Sequence, residues 1–201
     1  MEGLHPTQEI LIDAVLSLAE TRPIREIIVD DVLRFSGVSR GSLYHHFEDY
    51  NDLLDVAQVS FFAKLVDEAI SSAMKTLRTA KTREEWLELD KAATRKNNSG
   101  KRRKERVMRA HILANTFDSP KMMKLMQSEQ DRLTRSMTDI YREAVNRGWG
   151  NSNLDPEAAV VLVQSYYIGR LIGDLSRSGL PDDKWLSFLD RLNEEFLYPG
   201  K

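Results

Sequence analysis

Apolar residues recur along most of this chain at spacings of three and four, the repeat of a helix with one buried face. Ile10, Ala14, Val15 and Leu18 make one stripe, and Leu54, Ala57, Phe61, Leu65 and Ala69 another. Leu133, Met137, Ile140 and Ala144 make a third, followed by Trp185, Phe188, Leu189, Leu192 and Phe196. No segment alternates with period two over strand length, so an all-α fold is expected. Proline breaks a helix interior, and prolines stand at 6, 23, 120, 156, 181 and 199, between the stripes. Pattern and breaks predict helices over 7–20, 29–36, 40–46, 50–79, 82–97, 101–116, 119–147, 155–177 and 181–197. Thr82 with Glu85, Ser119 before Pro120 and Asp155 before Pro156 are helix-start signals, and Gly100, Gly148 and Gly179 fall where helices should stop.

The segment VDDVLRFSGVSRGSLYHHF, from Val29 to Phe47, carries the most chemistry. A short helix with Val32 and Leu33 inward ends at Gly37, which can take the left-handed conformation a tight corner needs. Ser39 can cap the next helix, and Leu43 with Phe47 give it one buried stripe. Arg40, Gly41, Ser42, Tyr44 and His45 are left on the opposite side. A guanidinium can fork onto guanine, small residues allow close approach, and hydroxyl and imidazole groups can donate to phosphate, so this is built like a groove-reading face. The competing reading is an ordinary short helix in a bundle. Adjacent His45 and His46 point about 100° apart and cannot chelate one ion together.

GVSRGSLYHHFEDYNDLL, preceded by the helix TQEILIDAVLSLAE, resembles the recognition-helix signature of the TetR/AcrR family of transcription regulators. The match covers roughly residues 7–56. It implies an N-terminal three-helix head at 1–50, with a helix-turn-helix at about 28–47, that binds DNA. A body of about six helices at 51–201 would bind an effector and dimerise. By position, Arg40, Gly41, Ser42 and His45 would contact bases, with Tyr44 and His46 on backbone phosphate and Ser39 as the cap. Tyr50 stands where the family often has a phosphate-binding lysine, Ile28 where it has a capping threonine, and Arg22-Pro23 where it often has glycine. Protonation of the histidines predicts that DNA affinity rises as pH falls through about 6.5.

Charge complicates this picture. The whole chain is at -2, but residues 1–50 hold nine acids against Arg22, Arg25, Arg34 and Arg40. Few phosphate anchors predict weak nonspecific DNA affinity with a shallow salt dependence. Arg95 to Arg109 gathers eight cations around Glu105, either as a solvated loop and helix start or as phosphate attraction that the head lacks. An acidic head leaves a second class open, a ligand- or protein-binding module that no longer reads DNA.

In the body, Phe61, Trp86, Phe117, Met122, Met126, Met137, Tyr141 and Tyr166 are expected to point inward. Such a set is core by default; the resemblance implies a cavity among them for a small apolar or aromatic effector. Gly169 and Gly173 lie four apart in the next-to-last helix, and with Trp185, Phe188 and Leu192 the resemblance makes the last two helices a homodimer interface. A hairpin closing the monomer's own core is the alternative.

Catalytic patterns are scarce. There is no cysteine, glycine-rich phosphate loop or HExxH, and the Glu2 to His5 spacing sits at an end expected to fray. Asp30-Asp31 and Asp182-Asp183 lie at helix starts, where the dipole accounts for them, and His111 is expected in the core. The expectation is a non-enzyme with no cofactor and no metal. Ala158 to Val163, the longest apolar run, is too short to span a membrane, and a cytoplasmic location is expected.

Overall fold

A computed structural model describes residues 3–177 and 179–199. Among the described residues nine α-helices follow in order: α1 (Pro6–Ala19), α2 (Val29–Ser36), α3 (Arg40–His46), α4 (Tyr50–Thr79), α5 (Arg83–Asn98), α6 (Arg103–Thr116), α7 (Pro120–Asn146), α8 (Pro156–Leu175) and α9 (Asp182–Leu192). No strand occurs among the described residues. A short 3-10 turn at Ile24–Glu26 adds to what the apolar pattern predicts, while a 3-10 turn at Gly100–Arg102 and a π-turn at Asn193–Leu197 replace the start of the helix expected at 101–116 and the end of the one expected at 181–197. Gly100 begins a turn rather than closing α5, which already ends at Asn98.

Two compact units divide the chain: residues 1–65 with 116–126, and 66–115 with 127–201. The first is larger than the head expected at 1–50. It takes in the start of α4 and, through Ser119 and Lys121, the start of α7. Ser119 Oγ donates to Asp55 at 2.8 Å while accepting the Met122 N–H, and Lys121 Nζ pairs with Asp52 at 2.8 Å.

The core of the first unit is apolar, built from Leu11, Ile12, Val15, Ile27, Val32, Leu43, Phe47, Leu53 and Ala57. Burying a leucine or valine side chain contributes about 1.5–3 kcal/mol, so this cluster is what holds three short helices together. His5 supplies an unforeseen cap: its Nδ1 accepts the Thr7 N–H at 3.2 Å, and Gln8 Oε1 accepts the His5 N–H at 3.0 Å. Residue 5 is therefore tied into α1 rather than frayed.

The second unit packs Trp86, Leu87, Ile140, Tyr141, Ala144, Trp149, Val160, Leu197 and Tyr198 into one cluster. Polar groups are buried in the same unit: Thr94, Asn98, Arg106, Thr138, Arg170 and Asn193. Arg106 meets Asp174 through Nη2 at 2.9 Å, both side chains being nearly excluded from solvent. No helix of the described chain is long and apolar enough to cross a membrane.

Candidate nucleic-acid interface

The corner before α3 forms because Gly37 adopts φ 69°, a region closed to most side chains, with its N–H on the Leu33 carbonyl. Ser39 then caps α3, its Oγ accepting the Ser42 N–H at 3.1 Å. Leu43 and Phe47 point into the core, which fixes the rotation of the helix and leaves Arg40, Gly41, Tyr44 and His45 exposed. Ser42 is half-buried, its hydroxyl 2.9 Å from that of Ser39. α2 starts at Ile28 without a side-chain cap.

Electrostatics restrain this surface. Arg40 Nη2 is hydrogen-bonded to the exposed Asp30 carboxylate on the first turn of α2, an ion pair the sequence analysis missed. Arg22 pairs with Asp31 at 2.6 Å, so a second head cation is also answered within the molecule.

Tyr50 departs from its expected role. Its hydroxyl donates to the Ile27 carbonyl at 2.8 Å, and burial followed by the Asp31 charge pushes its pKa up to about 12. The phenol proton is thus committed inside the head and is not free for phosphate. His46 is only partly exposed: its ring stacks on His5 at 4.5 Å and meets His45 edge-on at 5.0 Å. Partial burial, then repulsion from His5 and His45, lowers the His46 pKa, which moves proton uptake there below the expected 6.5. A shallow groove of about 540 Å³ runs beside these rings, lined by Gln8, Tyr44, His45, His46, Asp52 and Lys121 among others.

Expected body sites fare unevenly. Phe117 is 79% exposed, beyond the end of α6, and lines no interior. Phe61, Met122 and Met126 belong with Phe117 to the first unit, not to the second. Trp86 and Tyr141 are core: Trp86 lies 6.0 Å from Trp149 and 5.6 Å from Tyr198, and Tyr141 lies 5.8 Å from Tyr198, with Met137 packed at the edge. Tyr166 is buried beside Tyr167 at 4.8 Å.

Gly173 serves its own chain. A methyl group there would stand 2.6 Å from Arg170 Nη1 and 3.0 Å from Leu180 Cβ, whereas one on Gly169 would meet nothing within 4 Å. Trp185 is likewise anchored inward, its Nε1 donating to Asn98 at 3.1 Å. Leu192 is half-buried and Phe188 is exposed. In the basic stretch, Arg95 pairs with Asp190, Arg102 with Glu105 and Glu68, and Arg106 with Asp174, while Arg103 donates to the Asp174 carbonyl. Internal partners therefore take up much of a cluster whose spacing suggested a free surface.

No protein-family model matches the sequence, and no curated protein matches it. Solved structures do. One from Saccharomonospora viridis, named as a transcriptional regulator and solved in complex with choline, superposes with a TM-score of 0.72 at 16% identity, covering 96% of this chain and 98% of that one. Another, from Mesorhizobium loti and named as TetR-family, gives 0.70 at 15% identity, covering 92% and 91%. The chain has the TetR-family regulator fold. Escherichia coli NemR in its reduced form shares it as well, with a TM-score of 0.68, 17% identity and coverage of 93% and 97%.

Within the TetR fold, two features here were missed by the sequence reading. Asp30 on Arg40 requires the corner geometry to be known. His5 was nearer to hand: His-Pro-x-Gln has the layout of a capping box with imidazole in place of hydroxyl.

Proposed function

We propose that this protein is a DNA-binding transcription regulator that works as a cytoplasmic homodimer, repressing from a palindromic operator and released by a small-molecule effector. Residues 1–50 read DNA in this scheme, and 51–201 bind the effector and dimerise. The observation that carries it is α3: a capped helix after a glycine corner, anchored by Leu43 and Phe47, that leaves Arg40, Gly41, Tyr44 and His45 exposed with Ser42 half-buried among them. Arg40, Gly41, Ser42 and His45 face the bases in this scheme, while Tyr44 and His46 reach phosphate. Tyr50 braces the head instead.

A two-fold partner is supported by α8, where Val161, Ile168, Ile172 and Leu175 follow at steps of seven, four and three, the spacing of one helix face, and are exposed, Ile172 by 76% and Leu175 by 85%. Phe188 of α9 and the open Gly169 extend the assignment. That a structure of the same fold holds choline supports a small-molecule effector. No catalytic role is assigned.

Selection of bound sequences from a random duplex library, followed by gel shift, tests the reading. Enrichment of a two-fold symmetric site, bound about tenfold or more weakly by Arg40→Ala, is the expected outcome. A second reading, a module that no longer reads DNA, is favoured by the -5 charge of residues 1–50 and the Asp30 grip on Arg40; recovery of no sequence would establish it. Sedimentation of Ile172→Glu as a monomer, against a dimeric parent, tests the interface.

A further inference from the structure

The geometry points to a binding site for a small organic cation on α5, with Asp90 as its counter-charge, Asn193 as an acceptor and the rings of Tyr166 and Tyr167 as walls. This rests on the effector-binding reading of the body and names the class of effector.

Asp90, Thr94 and Asn97 lie on one stripe of α5 at steps of four and three. Tyr167 of α8 hydrogen-bonds Thr94, Asn97 and Tyr166, which sets the tyrosine pair beside that stripe. On another side the π-turn at Asn193–Leu197 brings Asn193 Nδ2 to 2.7 Å from Asp90 Oδ2. π-turns are rare and gather at functional sites.

Charge accounting then selects the ligand. Glu194 and Glu88 are met by Lys91, and Asp190 by Arg95 at 2.5 Å. Asp90 is met by none of the ion pairs among the described residues. Burial, reinforced by the Asp190 charge, raises its pKa to about 6. Asn193 is 1% exposed and its Oδ1 accepts nothing; the buried Asp190 Oδ1 is bare too. The site thus holds an unanswered negative charge and surplus acceptors, and an ammonium group supplies what both lack. Tyr166 and Tyr167 lie close enough for the Asp90 charge to raise both phenol pKa values, so aromatic surface is at hand for an organic rather than a bare ion. No group of three metal-ligating side chains gathers among the described residues, which disfavours a divalent metal.

Calorimetric titration of the full chain with benzylammonium and tetramethylammonium, against benzyl alcohol, benzoate and potassium, tests this. Saturable binding of an organic cation about tenfold or more tighter than the alcohol, benzoate or potassium is expected, with the preference lost in Asp90→Asn and kept in Asp90→Glu. Circular dichroism of each variant checks that it folds. Equal binding of benzylammonium and benzyl alcohol, binding of neither cation, or an undiminished preference in Asp90→Asn would overturn the site. Repeating the titration with the selected duplex present separates the two readings: cation binding that leaves DNA affinity unchanged keeps the site and removes the switch, and failure to select any duplex bears on the head alone.

Discussion

The two compact units are built on different principles. In the first, the ten-residue central cluster is wholly apolar, and Gln58 and Thr116 are the buried polar residues among those described. In the second, Thr94, Asn98, Arg106, Glu129, Thr138, Arg170 and Asn193 are all buried. An apolar core fixes the rotation of α3 with few alternatives. A core threaded with hydrogen bonds and ion pairs is costly to leave unsatisfied, and so its shape can depend on what fills it.

The contrast can be broken most forcefully at Arg106. Replacing it with alanine leaves Asp174 buried without its partner and should cost about 3–5 kcal/mol in urea denaturation, whereas the joint change Arg106→Met with Asp174→Leu should cost far less. In the head, Leu43→Ala removes apolar volume only and should cost about 2–5 kcal/mol, with no rescue by a second polar change. Equal rescue in both units would erase the distinction.

Asp90 sharpens it through pH. The folded carboxyl keeps its proton up to about pH 6, the unfolded one only to 3.8. Between those values the folded state binds more protons, so stability should fall as pH rises from about 4 to 6, on the order of 2 kcal/mol, and level off above. Asp90→Asn should flatten that slope in melts across the window. Ser39→Ala should cost about 1 kcal/mol by removing the α3 cap, and faster amide exchange confined to α3 would register it.

The smallest effect is expected at His46. Its lowered pKa means that the head is stabilised above about pH 6.5 and loses that contribution as pH falls below it. His46→Gln should make α3 exchange less sensitive to acid.

Much of the helical framework was legible because its signals are local. α2, α3 and α4 run over the expected 29–36, 40–46 and 50–79, where caps, a glycine corner and an uninterrupted stripe coincide. The candidate interface was legible to the extent that it too is local, since a Leu43–Phe47 stripe dictates which side of α3 is free. Partners were not. Asp174 lies 68 residues from Arg106 and Asn193 lies 103 from Asp90, and nothing in a one-dimensional pattern joins them. Phe117 misled for a related reason: its apolar character said inward, but α6 ends at Thr116 and the connection to α7 carries it outside.

Gly173 carries a constraint on descent. Because its missing side chain is the space the Arg170 guanidinium occupies, alanine becomes tolerable there only in a lineage that has already shortened or lost that arginine. Arg170 also holds the Leu180 carbonyl and the Asp182 carboxylate, so such a lineage must first find another way to close the loop between the last two long helices. The order in which these positions can change is set by sterics, and chains that kept the arginine should have kept the glycine.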